Sequence, residues 1–141
     1  MLLEILATLA AGLFAGAAIY IDLAEQPARE QIDTAAALTE WRPSYKRAAV
    51  VQPLLAAVGF LSALAAWMMG ASVWWLVGGL LLVAVIPYTL IVALPTNNKL
   101  LDPTIDNNPA LARRLLIRWG RVHTVRSVMS LATFVVFMML L

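Results

Sequence analysis

The uncharged stretch VWWLVGGLLLVAVIPYTLIVAL, residues 73–94, decides the fold of this chain. At about 1.5 Å of rise per residue it is long enough to cross the roughly 30 Å hydrocarbon core of a bilayer as one helix. Residues 2–24, 43–69 and 109–141 carry apolar runs of similar length. Only 13% of the residues are charged, against about a quarter in soluble proteins. The 141 residues therefore predict a single domain, an all-α integral membrane four-helix bundle.

The basic residues predict how this bundle is oriented. All ten Lys and Arg residues fall within residues 29–47 and 99–126, which connect the first segment to the second and the third to the fourth. The positive-inside rule places both connections in the cytoplasm. We therefore expect an up-down-up-down bundle in the inner (plasma) membrane, with the lipid bilayer as its surroundings and both termini on the non-cytoplasmic side.

Composition also excludes several functions. The basic residues only flank membrane segments, so we expect them to orient the chain and contact anionic headgroups, and we expect no nucleic-acid partner. The chain has no cysteine and one histidine, which excludes thiolate metal sites and an internal bis-His haem. We therefore expect no metal and no cofactor. The start, Met1-Leu2-Leu3-Glu4, lacks the basic region of a signal peptide, so the first segment is expected to remain a membrane helix.

Prolines suggest where the helices begin and end. Pro27 is expected to open a short helix on the membrane surface, residues 27–42, and Pro43 to open the second spanning helix. Pro95 is expected to end the third. Asn108-Pro109 is a strong helix start, because Asn accepts at the N-cap while Pro occupies the first helical position.

The last helix carries the most informative polar residues. Trp119, His123 and Arg126 are spaced to share one helix face. Arg126 lies about 10 Å beyond Trp119 along the axis. A charge at that depth costs at least about 2–3 kcal/mol, so it should face the bundle interior and find a partner, for which Glu25 and Asp22 are the available acids. His123 is the candidate general base, because imidazole exchanges a proton near neutral pH.

Further polar residues from other segments are expected at the same end. Gln52-Pro53 and Pro87-Tyr88 each combine a polar side chain with a proline that removes a helix hydrogen bond, which creates local polarity and space. Together they predict a polar pocket at the cytoplasmic end of the bundle, although an ion pair that fixes helix register and two simple proline kinks would give the same pattern. The other residues expected there are Tyr20, Thr89, Asn97 and Asn98.

These residues also carry a family resemblance. The chain resembles the anthrone oxygenase-like family of small four-helix membrane proteins, whose bacterial members have no known function. The motifs are Gly16-x-x-x-Tyr20, Glu25-x-Pro27-Ala28-Arg29, Trp41-x-x-x-Tyr45, Gln52-Pro53, Pro87-Tyr88-Thr89, Pro95-Thr96-Asn97-x-x-Leu100 and Arg118-Trp119-x-x-x-His123-x-x-Arg126.

Fungal members of that family are associated with oxidation of anthrones to anthraquinones by molecular oxygen, without an established metal or flavin. For this chain the resemblance implies His123 as the base and Arg126, with Asn97 or Asn98, as donors to a developing oxyanion. Trp119 and Tyr88 would form the walls of the site, and Tyr20, Glu25 and Gln52 would complete it.

Three functions stay open. The first is a cofactor-independent oxygenase or oxidoreductase acting on a hydrophobic aromatic, anthrone- or quinone-like substrate. The second is a membrane binding or transport module for such a ligand, although no Asp or Glu interrupts the last three spanning segments, which argues against a drug/proton antiporter. The third is a structural accessory subunit. The small-residue pattern Gly12-x-x-x-Gly16 suits packing within the bundle or a homo-oligomer seam.

Overall fold

The computed structural model describes residues Met1 to Leu141 as four long helices with no strand. They are α1 (Leu2–Gln31), α2 (Thr34–Met68), α3 (Val73–Leu101) and α4 (Pro109–Leu140), and each is long and apolar enough to cross a membrane. The prediction of an all-α chain with four spanning helices is confirmed, and the helices indicate a multi-pass membrane protein. The up-down-up-down order across a bilayer and the side of the termini stay predictions.

Short polar residues start the helices. The Asp33 carboxylate accepts from two backbone N–H groups in the first turn of α2. Asn108 Oδ1 accepts from the N–H of Leu111 at 3.2 Å, with Pro109 in the first turn, which confirms the predicted start of α4. Between α2 and α3, Gly70 has a φ of 100°, a left-handed conformation that favours glycine.

The predicted surface helix over residues 27–42 is wrong. α1 continues through Pro27 to Gln31, and α2 begins at Thr34 and contains Pro43 in its interior. The carbonyl that Pro43 leaves unbonded is that of Thr39, an exposed residue, so water can satisfy it. The prediction that Pro95 ends α3 is also wrong, since that helix continues to Leu101.

Two π turns explain why Pro27 and Pro95 do not end their helices. One π turn spans Ile21–Glu25 and the other Thr89–Ala93, and each ends two residues before a proline. The ring of a proline clashes with the carbonyl four residues earlier, and that residue lies within the π turn in both cases. The wider turn displaces this carbonyl, so the helix continues past the proline.

The helices bury two separate clusters. The first contains small residues with a few large ones between them, among them Ala7, Phe14, Ala63, Trp75, Leu82, Val85 and Phe137. The second contains Ile21, Leu38, Trp41, Leu100, Leu116 and Trp119. In the first cluster α2 and α3 approach closely, since a Cβ on Gly59 would lie 2.5 Å from Leu82 Cδ2 and one on Gly79 would lie 3.0 Å from the Cβ of Ala63. The two helices are closely packed here and less closely packed nearer the N-terminus of α2, where a cavity lies between them.

Candidate functional site

A cavity of about 170 Å³ lies between the two clusters and takes lining residues from all four helices. Both clusters contribute to its walls, the first through Val85 and the second through Ile21 and Trp119. Both π turns border it, through Ile21 on α1 and Thr89 and Leu90 on α3. Cavities of about 150 Å³ hold one benzene ring, so a larger aromatic would extend through the cavity's opening.

His123 and Asp22 form a pair on one wall. The Nδ1 atom of His123 lies 3.0 Å from Oδ1 of Asp22, and the Thr124 hydroxyl donates to the same oxygen at 3.3 Å. The His123 side chain is buried, and its Nε2 has no hydrogen-bond partner. A carboxylate beside Nδ1 holds the proton on that atom and leaves the lone pair on Nε2. This is the arrangement that a general base requires.

Arg126 is buried in the same cavity without an acidic partner. Its Nη2 donates to Oε1 of Gln52 at 2.7 Å, and its Nε has no partner. The prediction that it pairs with Glu25 or Asp22 is wrong. Glu25 accepts from Arg29, one turn further along α1, at 2.8 Å, and Asp22 is held by His123. The cavity therefore contains a guanidinium whose nearest partner is neutral, a setting that favours an anion.

Aromatic rings stack beside His123 and Arg126. Trp41 stacks on Tyr45 with centroids 4.8 Å apart, and its edge contacts Trp119 at 5.7 Å. Trp119 in turn stacks on His123 at 5.0 Å, while the Arg29 guanidinium lies 5.5 Å from the Trp119 ring centroid. Each stacked pair is four residues apart on one helix, and the two pairs face each other. This packing fixes the imidazole plane and gives the cavity a flat wall.

The structure brings some of the predicted site residues together and separates others. Gln52, Trp119, His123 and Arg126 line the cavity. The remaining residues do not line it, and each has another environment: Tyr20 is 61% exposed, Asn98 is exposed, Glu25 binds Arg29, Tyr88 donates to the carbonyl of Val122, and Asn97 donates to the Tyr45 hydroxyl. On α1 the buried series Phe14, Ala18 and Ile21 keeps regular helical spacing, and Tyr20 lies one position off it. On α3 the inward-facing series Leu82, Val85 and Thr89 does the same, and Tyr88 lies one position off it.

Thr89, which was expected at this end of the bundle, also lines the cavity. Two functional candidates were missed or misassigned from the sequence: Tyr45 lines the cavity, and Asp22 contacts His123 rather than Arg126. The four-residue spacing of Trp41 and Tyr45, which matches that of Trp119 and His123, was a usable signal for Tyr45. No group of three or more His, Cys, Asp or Glu side chains could hold a metal ion.

Comparison with known proteins places the same residues inside a shared region. Residues 41–136 match the sequence profile of a protein family described as anthrone oxygenase. "Anthrone oxygenase tpcL" of Aspergillus fumigatus is 43% identical over 54 residues, an alignment that covers 35% of this chain and 32% of that protein. The chain thus matches about a third of the length of this curated relative. No solved structure matches the chain. Tyr45, Gln52, Trp119, His123 and Arg126 all lie within the matched region.

Proposed function

Because this chain belongs to the anthrone oxygenase family, we propose that it oxidises a hydrophobic aromatic, anthrone- or quinone-like compound with molecular oxygen. One observation carries the proposal. His123, whose Nε2 has no partner and whose Nδ1 contacts Asp22, lines the same cavity as Arg126, which has no acidic partner. A base beside an unpaired cation suits the removal of a proton from carbon with the negative charge held on a nearby oxygen.

In the proposed reaction, Nε2 of His123 removes a proton from the methylene carbon opposite an aryl ketone. The charge moves to the ketone oxygen, where Arg126 stabilises it beside Gln52. The anion passes one electron to oxygen, and the resulting carbon radical and superoxide combine into a peroxide. Loss of the second proton from the same carbon, with cleavage of the O–O bond, gives the quinone carbonyl. The substrate loses two hydrogens and gains one oxygen, and the second oxygen atom leaves as water.

The proton has a proposed route out of the cavity through Asp22. This carboxylate lines a second, open groove on the other side of α1 and α4, together with Glu30, Arg121 and Thr124. Glu30, Arg121 and Thr124 are exposed, so the groove is polar and open to water. His123 thus connects the cavity to the groove. A proton taken up by the imidazole can leave through the carboxylate without passing the substrate.

Oxygen uptake by the purified protein in lipid nanodiscs tests this proposal. With an anthrone, uptake and quinone absorbance should exceed the uncatalysed rate, and His123→Ala should lower kcat by about 10²-fold or more. Thr39→Val is the matched control, because the Thr39 hydroxyl is exposed and donates only to the carbonyl of Ala35. Full turnover by a folded His123→Ala variant would remove this histidine from the mechanism. Tight quinone binding without oxygen uptake would indicate a binding module instead of an oxygenase.

A further inference from the structure

The cavity has one exposed edge, and it lies between α2 and α3. Most of its lining residues are buried or half-buried, whereas Ala49 on α2 and Leu90 on α3 are exposed. Both lie inside helices that are apolar enough to span a membrane. We infer that the ligand enters sideways from the bilayer, through a mouth formed by Ala49 and Leu90. For the reacting compound this inference rests on the proposed function, but the mouth itself rests on the exposure and position of these residues.

Helix packing explains why an opening exists at this depth. α2 and α3 are in close contact at Gly59 and Leu82 and at Ala63 and Gly79, where a Cβ on either glycine would lie 3.0 Å or less from the facing side chain. Closer to the N-terminus of α2, Pro53 lines the cavity. Since proline donates no backbone hydrogen bond, it weakens the helix at the level of the cavity. The two helices are therefore tightly packed on one side of the mouth and separated by the cavity beside it.

The opposite approach is closed by the second cluster. Trp41 and Leu100 are fully buried, and Leu116 is 1% exposed. Trp41 and Trp119, whose rings meet edge to face, belong to the same cluster. A solute arriving from that end would have to displace these side chains, whereas a solute dissolved in lipid would first meet the exposed Ala49 and Leu90. The packing therefore favours the lateral route.

The two ends of the cavity differ in polarity, and this defines the ligand class. Part of the lining is apolar and half-buried or exposed, namely Pro53, Ile86, Leu90 and Leu94, whereas the polar Gln52, His123 and Arg126 are buried. An apolar ring would remain near lipid while an oxygen atom reached the guanidinium. The inferred ligand is a flat aromatic that partitions into lipid and carries an acidic oxygen at its leading end.

Blocking the mouth tests the inference without relying on turnover. 1,8-Dihydroxyanthraquinone, which needs no oxidation, serves as the probe, and its binding to protein in nanodiscs is followed by absorbance. Ala49→Trp and Leu90→Trp should each lower affinity by about tenfold or more, since the indole would fill the mouth. Val50→Trp and Ile91→Trp are matched controls, because Val50 and Ile91 are 69% and 75% exposed, and neither lines the cavity. The controls should stay within about twofold of the unmodified protein.

A reversible cross-link blocks the same mouth without introducing a tryptophan that could disturb folding. Because the chain has no cysteine, Ala49→Cys with Leu90→Cys creates a unique pair of thiols. A bis-methanethiosulfonate linker across this pair should abolish probe binding, and a reductant should restore it in the same sample. Equal binding before and after reduction would overturn the lateral route, as would equal losses in the tryptophan variants and their controls. Reversible loss of probe binding on cross-linking, together with no oxygen uptake from an anthrone, would overturn only the proposed reaction. Full anthrone turnover in the cross-linked protein would overturn only the entry route.

Discussion

Replacing the neutral partner of Arg126 by an acid should separate ligand affinity from stability. Gln52 accepts from Arg126 Nη2 at 2.7 Å, and both side chains are buried. Gln52→Glu keeps the size of the side chain and supplies the carboxylate that the site lacks. If Arg126 is available for an anionic ligand because its partner is neutral, this single change should remove the preference for anions.

The size of the effect follows from Coulomb's law. A ligand oxygen bound on the other side of the guanidinium would lie about 6 Å from the new carboxylate, which costs roughly 3 kcal/mol at an effective dielectric constant of about 20. That corresponds to about a hundredfold loss of affinity for an anion, while a neutral ligand of the same shape should be affected little. The fold should gain instead, because a charge-assisted hydrogen bond is roughly twice as strong as a neutral one.

The assay compares 2-naphthoate with its methyl ester, two ligands that differ in charge. Binding is measured in nanodiscs for the unmodified protein, Gln52→Glu and Gln52→Met. The unmodified protein should prefer the anion, Gln52→Met should retain that preference, and Gln52→Glu should lose it. In thermal unfolding Gln52→Met should be the least stable, since a buried donor left without a partner costs about 1–3 kcal/mol. An unchanged ratio of the two affinities in Gln52→Glu would refute the assignment of Arg126 as the anion site.

Two further predictions concern the base and the helix packing. Asp22→Asn should lower kcat for anthrone oxidation by about 10²-fold with a smaller change in KM. Adding His123→Ala to this variant should lower kcat little further, because the two residues act as a unit. Additive losses of kcat in steady-state kinetics would contradict this. Gly59→Ala should lower the free energy of unfolding by about 1–3 kcal/mol, because the new Cβ would lie 2.5 Å from the fully buried Leu82. Gly16→Ala should be neutral or slightly stabilising, because a Cβ at that position would have no atom within 4 Å. Equal melting temperatures for the two glycine variants would show that this contact does not limit packing.

The sequence was sufficient for the fold because the signals for membrane helices are long and redundant. The run at residues 73–94 and three similar segments predicted four helices, and all four are present. The ends of the helices were less predictable, because proline usually stops a helix. Pro27 and Pro95 do not, since a π turn precedes each of them. Nothing in the composition of Ile21–Glu25 or Thr89–Ala93 distinguishes these turns from ordinary α-helix.

The site was predicted less completely on α1 and α3 than on α4. On α4, the spacing of Trp119, His123 and Arg126 placed all three on one face, and all three line the cavity. On α1 and α3 the predicted Tyr20 and Tyr88 lie one position off the buried face, and their neighbours Ile21 and Thr89 line the cavity. The face that a helix turns inward is therefore indicated by the spacing of its apolar residues, and a polar side chain beside that face does not reach the cavity.

The partner of Arg126 could not be predicted because several acids compete for several bases at one end of the bundle. Glu25 and Arg29 are one turn apart on the same helix, so their pairing requires no tertiary contact and leaves Glu25 unavailable. Asp22 then pairs with His123. Asp22 lies outside the region that matches the family, whereas His123, Gln52 and Arg126 lie inside it. The proposed base and anion site thus belong to the shared region, and the residue that orients the base comes from α1. Asp22→Asn should therefore slow proton removal and leave the preference for 2-naphthoate over its ester unchanged, whereas Gln52→Glu should abolish that preference.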